Sequence, residues 1–171
     1  MRIFKEEQRF NQTWIIVLMV VSTMVPVAIV LHTYINNPEN LSSAELIVAI
    51  LIILLASSFI FIFKLSTRID EKGIHYKFFP FHLKYRLLKW EDINEAYIRT
   101  YDALTEYGGW GLKGGALWNK SKGTAINVSG DIGIQLVLKS GKRLLIGTQK
   151  QEDAKATIDT YNQKIINDTN V

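Results

Sequence analysis

The chain has 171 residues, 48% of them hydrophobic and 21% charged, and a formal net charge of +4. With no cysteine, disulfides and thiolate metal sites are excluded. The mean hydropathy of +0.09 averages two unlike parts, an apolar N-terminal stretch and a polar, basic remainder.

Residues 1–12 read as a cytoplasmic segment carrying Arg2, Lys5 and Arg9. Thr13 to Tyr34 and Leu46 to Phe63 contain no Asp, Glu, Lys or Arg. Each has about the 18 or more residues that a helix needs to cross a hydrocarbon core. They predict transmembrane helices over 13–35 and 44–64, joined by an extracytoplasmic turn over 36–43 (NNPENLSS from Asn36). Pro26 removes one backbone donor from the first span and predicts a kink, with Ser22 and Thr23 placed to compensate. Ala49, Ala56, Ser57 and Ser58 give the second span small patches for close helix packing.

The flanks predict an orientation. Arg2, Lys5 and Arg9 precede the first span and Lys64, Arg68 and Lys72 follow the second, while the turn has neither Lys nor Arg. Basic residues near span ends are retained inside, so both termini are expected in the cytoplasm and the hairpin in the inner membrane. A cleaved signal peptide is the competing reading of the first run, but the run is too long and lacks a clear small-residue cleavage site.

From Lys64 onward there are 17 Lys and Arg against 12 Asp and Glu, a scattered balance of +5 that suits either proximity to anionic lipid or a plain solubilising surface. One domain is expected over 65–167, with a tail over 168–171. Period-two alternation predicts strands at Leu65–Asp70, around Ile74, Tyr76 and Phe78, at Leu83–Lys89, and at Ile93–Tyr101. A Gly-rich stretch from Asp102 to Gly123 follows. Thr124–Val128, Ile132–Lys139 and Arg143–Gly147 complete seven strands, the last three joined by Ser-Gly turns. The period then changes. Ala154, Ile158, Tyr161 and Ile165 form one stripe on a terminal helix of about 17 residues, with Thr148 and Gln151 matching a capping box.

Trp90-Glu-Asp-Ile93, Tyr107-Gly-Gly-Trp-Gly111, Ala125 to Ile134 and Leu145-Ile-Gly-Thr148 together resemble the bacterial pleckstrin-homology-domain membrane proteins. The resemblance covers about Leu65 to Ile165 and departs from the usual pattern at Gln151, where Pro is expected. It implies a transmembrane α-hairpin followed by a pleckstrin-homology-like (PH-like), seven-stranded antiparallel barrel or sandwich capped by a C-terminal α-helix. It implies a membrane location but no shared biochemical activity.

Gly109-Trp-Gly-Leu-Lys-Gly114 fits the letters of a phosphate-cradling glycine pattern. The strand-to-helix context that such a cradle requires is absent from the sequence, and glycines serving a long loop explain the pattern more simply. Gly108, Gly109, Trp110 and Gly111 are therefore read as pinning the loop to the domain. His32, His75 and His82 lack metal-ligand spacing, and no nucleophile elbow or acid–base carboxylate pair is evident. No catalytic residue, metal or cofactor is implied.

Strand parity in an up-and-down meander, with the first strand leaving the membrane after Phe63, sends alternate connections back toward the bilayer. This predicts membrane-facing Phe79, Phe81, Trp118, Lys113, Lys120, Lys142 and Arg143, and more acidic loops at the far end. The competing reading places most of these aromatics in the core. The sequence thus leads to a non-enzymatic inner-membrane protein presenting a cytoplasmic interaction or assembly module. Its expected partners are the bilayer, anionic headgroups, and an unknown protein or a second copy, with no nucleic acid. An oligomeric pore or transport-accessory subunit is the alternative, and nucleotide binding through the glycine loop comes third.

Overall fold

A computed structural model describes residues 2–37, 39–114 and 122–167, with side chains in the last helix described to residue 162. The chain divides into two units, Met1–Arg9 with Lys64–Val171, and Phe10–Phe63.

The second unit is a helical hairpin. Helix α1 (Thr13–Asn36) and helix α2 (Ser43–Ser58), the latter extended by a 3-10 turn at Phe59–Ile62, are both long and apolar enough to cross a membrane. Only Ile15 of α1 and no residue of α2 is buried, whereas the core helix of a globular domain would be largely covered. The turn is closed by polar groups. Ser42 Oγ accepts from the Glu45 N–H at 3.3 Å, the Ser42 N–H donates to Glu45 Oε2 at 2.8 Å, and the Tyr34 and Ser43 hydroxyls meet at 2.9 Å. Within α1, the Ser22 and Thr23 hydroxyls both donate to the Met19 carbonyl, two turns before Pro26. At the open end of the hairpin the Phe10 and Phe63 rings pack edge to face, 6.3 Å between centroids.

The first unit contains two sheets and a helix. The first sheet has the order β1-β2-β3-β4, all antiparallel: β1 (Phe4–Arg9), β2 (Lys64–Asp70), β3 (Gly73–Phe79) and β4 (Arg86–Lys89). A 3-10 turn at Trp90–Asp92 leads to β5 (Ile93–Thr100), which is followed by a short helix α3 (Ala103–Tyr107) and by β6 (Gly111–Gly114), β7 (Thr124–Asn127), β8 (Ile132–Leu138) and β9 (Arg143–Gly147). The second sheet runs β5-β8-β9-β7-β6, with β7 parallel to β9. Helix α4 (Gln151–Asn167) closes the chain. The core is apolar and continuous with strand alternation: Leu65, Ile69, Ile74 and Phe78 from the first sheet, Ile93, Ile134, Leu136, Leu145 and Ile146 from the second, and Ile158 from α4 are fully or almost fully buried. Trp90 stacks on Tyr161 of α4, rings 5.4 Å apart, and its Nε1–H donates to the Asp70 carbonyl at 2.9 Å.

Several expectations change. The segment 1–12, expected to be a plain flank, supplies a strand of the domain, so the described sheets hold nine strands and not seven. Its buried side is mostly polar, Phe4, Glu6 and Gln8, so it carries little of the apolar alternation that marks the other strands. Lys64, placed at the end of the second span, opens β2, because a charged residue belongs to the ladder and not to the apolar run. The second extra strand, β6, lies inside the Gly-rich stretch. The expected strand at Leu83–Lys89 is confined to Arg86–Lys89.

Strand β1 is bonded across the domain as well as along it. Glu6 is buried, and its carboxylate accepts from the Thr148 hydroxyl at 2.6 Å and the Gln149 N–H at 2.8 Å, at the entrance to α4. Thr148 Oγ1 accepts in turn from the Lys150 N–H at 3.2 Å, so the hydroxyl expected in a capping box with Gln151 is engaged by a residue from the other end of the chain. The Gln8 amide donates to the Gly147 carbonyl at 2.8 Å, and the Tyr161 hydroxyl donates to the Arg2 carbonyl at 2.7 Å.

Because Arg9 and Lys64 are register partners in an antiparallel ladder, a short Asn-Gly turn joining residues 2–9 directly to 64–171 is expected to give a folded, soluble domain. Residues 64–171 alone, lacking β1, are expected to unfold at lower temperature or to expose apolar surface. Thermal unfolding and amide chemical-shift dispersion of the two chains provide the check.

Candidate functional site

Two regions concentrate polar or exposed aromatic chemistry. The first is the loop after β5. Asp102 caps α3, its Oδ1 accepting from the Leu104 and Thr105 N–H groups at 2.8 and 3.0 Å. Gly108, at φ 72°, ends the helix in the left-handed conformation, with the Gly108 and Gly109 N–H groups donating back to the Leu104 and Ala103 carbonyls. The Trp110 Nε1–H donates to the Gly130 carbonyl at 3.3 Å, and the Gly111 N–H donates to Asn127 Oδ1 at 2.9 Å. These contacts are where the structure places Gly108, Gly109, Trp110 and Gly111. Gly111–Gly114 is β6, paired with β7, so the second half of the glycine pattern is a strand and not a helix N-terminus.

Beside this loop Arg99 is held on several sides. It donates to Glu106 Oε1 at 3.1 Å and Oε2 at 2.9 Å, to Gln135 Oε1 at 2.9 Å and to the Tyr107 hydroxyl at 3.0 Å. Partial burial works against the Glu106 carboxylate. The Arg99 guanidinium, the Asp102 N–H and Lys122, whose Nζ lies 3.3 Å away, outweigh it and hold the carboxyl at about 2. Asn127 donates to the Tyr101 hydroxyl at 2.9 Å, and burial pushes that hydroxyl up to about 12. An open depression of ≈ 600 Å³ lies against Tyr101, Asp102, Leu104, Glu106, Trp110 and Asp131. Asp102 and Glu106 are committed to the helix cap and to Arg99, so this cluster acts as an electrostatic clip that fixes the loop.

The second region is the outward face of the first sheet. Its rows follow from the register: Arg9, Lys64 and Phe79 lie side by side, then Glu7 and Lys77, then Lys5, Arg68, His75 and Leu87. Lys77 Nζ stands 5.9 Å from the Phe79 ring centre. Lys64 pairs with Glu7 at 2.7 Å, while Arg68 and His75 share Asp70 at 3.0 and 3.1 Å. Burial raises the Asp70 pKa, yet the Lys72 N–H, His75 and Arg68 outweigh it and keep the carboxyl below its ordinary value. His82, in the β3–β4 connection, is buried; its Nδ1 accepts from the Phe78 N–H at 3.4 Å, and burial, then the nearby Arg86, push its pKa down.

The residues predicted to face a membrane are not brought together. Phe79 pairs with Lys64 at the end of the sheet where the chain leaves for Phe10–Phe63, and Phe81 stacks on Phe78 just beyond it. Lys142 and Arg143 lie at the β8–β9 turn, next to Lys139, whose N–H donates to the Asp92 carbonyl. Trp90 of that same 3-10 turn is bonded to Asp70, at the opposite end of the first sheet from Phe79. Lys142 and Arg143 therefore belong with the acidic connections from which parity had separated them. Gly130 and Asp131, in the β7–β8 turn, are bonded instead to the Trp110 Nε1–H and the Tyr101 N–H. The physical reason is the strand order: β5 pairs with β8 and β7 runs parallel to β9, so a meander's alternation fails in the second sheet. Lys113 is half-buried in β6, and Trp118 and Lys120 lie outside the described residues.

Sequence reasoning missed Lys5, Lys77, Leu83, Lys84 and Tyr85 as members of one surface. Leu83, Tyr85 and Leu87 were read as one face of a single strand, whereas only Leu87 lies in β4 and all three are exposed. The available signal was the run from Phe78 to Tyr85, where aromatic and basic residues alternate around Pro80. Among the described residues, no group of three His, Cys, Asp or Glu is arranged to hold a metal.

Replacing Glu106 checks the clip. Its carboxyl is held at about 2 against an ordinary 4.5. The stabilisation is therefore complete above the unfolded value and is lost as pH falls through the folded one. Glu106→Gln is expected to cost on the order of 2 kcal/mol at neutral pH after allowance for solvent screening. Near the folded pKa, mutant and parent are expected to converge, which thermal unfolding of the detergent-solubilised chain at both pH values measures.

No protein-family model matches the chain, and no curated protein matches it.

Proposed function

We propose that this chain is a two-span inner-membrane protein that holds a non-enzymatic, PH-like domain at the cytoplasmic face as a lipid- or protein-interaction module or assembly subunit. The observation that carries this reading is the pairing of Arg9 with Lys64. The apolar hairpin leaves and re-enters the domain at adjacent positions of two neighbouring strands, which supports two crossings with both flanks on one side. The basic residues of those flanks, against a turn without Lys or Arg, favour the cytoplasmic side. The helix-plus-two-sheet architecture and the motifs from Trp90 to Thr148 support the PH-like assignment, with the hairpin inserted after the first strand. The ion pairs and hydrogen bonds of Arg99, Glu106, Tyr101 and Asn127 favour a structural use of the domain's densest polar cluster.

The absence of cysteine makes the topology directly measurable. Asn40→Cys is expected to react with a membrane-impermeant maleimide from the outer face of the inner membrane, and Lys142→Cys only from the cytoplasmic face. Reaction of both from the same face, or of the pair in the reverse sense, would overturn the arrangement.

A further inference from the structure

We infer that the outward face of the first sheet, together with the β3–β4 connection, is a docking surface for an anionic lipid bilayer; this rests on the membrane reading above and names the partner of the domain. Three observations on one surface carry it. The first is exposed apolar area: Phe81, Leu83 and Tyr85 are 61%, 73% and 52% exposed within a few residues of one another, and Leu87 continues the patch onto β4. Large apolar groups scattered singly need no explanation, but several exposed along one short connection point to an interaction site.

The second is charge. Lys84 lies between Leu83 and Tyr85, and Lys77 is beside Phe79. Lys5, Arg9 and Lys77 have no ion-pair partner among the described residues, whereas the acids on this face, Glu7 and Asp70, are already matched by Lys64, Arg68 and His75. The face therefore carries cations available to an anionic surface, and apolar rings interleaved with ammonium groups suit the headgroup layer. A depression of ≈ 360 Å³ on this face is lined by Lys5, Arg68, His75 and Tyr85 together with Thr67, Glu6 and Glu7, the two carboxylates being engaged by Thr148 and Gln149 and by Lys64.

The third is covalent reach. Phe79 lies in the same row as Lys64 and Arg9, the residues from which the chain runs into the apolar hairpin. Successive strands are spaced roughly 5 Å apart, so the β3–β4 connection begins within about two strand spacings of both entry points. This end of the sheet is therefore the one covalently tethered to the hairpin, whereas Lys142 and Arg143 lie at the other end of the domain.

Environment-sensitive fluorophores on single cysteines test this in the full chain, reconstituted in vesicles of phosphatidylcholine with or without phosphatidylglycerol. Leu51→Cys, within α2, reports the span itself: quenching there by lipids spin-labelled deep in the acyl chain supports the membrane reading, and its absence overturns that reading. Leu83→Cys reports docking, with Lys142→Cys as the solvent reference. The expected result is a blue-shifted emission at Leu83 that shallow spin-labelled lipids quench at least twofold more than at Lys142, in vesicles containing phosphatidylglycerol. Lys77→Glu with Lys84→Glu is expected to reverse the shift while leaving the Leu51 signal intact. Water-like emission at Leu83 alongside a quenched Leu51 overturns the docking surface alone, and quenching at Leu83 that ignores lipid charge overturns the anionic specificity.

Discussion

The antiparallel pairing of β1 with β2 is the constraint on which the rest of the molecule depends. Six residues near the start of the chain find their partners only after the whole apolar hairpin has intervened. Closing so long a loop costs entropy that grows only slowly with length. Here the helical hairpin itself brings its ends together, the Phe10 and Phe63 rings meeting at 6.3 Å. The ladder then needs no further search to align Arg9 with Lys64. The domain is in this sense built around an insertion, and its first strand is separated from the remainder by sequence but not by space.

That strand does more than add an edge. Through Glu6, Gln8 and the Arg2 carbonyl it reaches the end of β9, the start of α4 and the middle of α4. The first sheet, the second sheet and the terminal helix are thereby tied at one place by buried and part-buried hydrogen bonds, and loss of those to Glu6 leaves a desolvated carboxylate or its donors unmatched. The second clip, Arg99 with Glu106, performs a comparable task at the β5 edge of the second sheet, fixing a glycine-bearing loop whose backbone would otherwise have many conformations.

Much of the fold was legible in the sequence because most strands obey simple alternation. Leu65, Ile69, Ile74 and Phe78 mark β2 and β3, and Ala154, Ile158 and Tyr161 mark α4. Strand β1 escaped because two of its three buried side chains, Glu6 and Gln8, are polar, and because Lys5 and Arg9 read as membrane flanks. Strand β6 escaped because its two glycines look like loop. Phe79 lies in the row of Lys64 and Arg9, at the end of the first sheet to which parity assigned it, whereas Lys142 and Arg143 were placed at that same end by a parity that holds only where sequential strands are also neighbours. The parallel pairing of β7 with β9 is a non-local choice, set by packing across the sheet and not by any local period.

If the hairpin spans a bilayer as proposed, its position within the β1–β2 connection ties completion of the first sheet to the way the two helices are threaded. During synthesis β1 precedes the hairpin and stays unpaired until both helices and then Lys64 have followed. If the second helix failed to cross, Arg9 and Lys64 would be left on opposite sides of the bilayer, and the ladder between them could not form. Glu6 would then have no Thr148 to meet, and α4 would lack the contacts that seat its beginning. On that topology the sheet closes only when Arg9 and Lys64 lie on the same side of the bilayer, so a chain with a single crossing would display its incompleteness as unfolded protein.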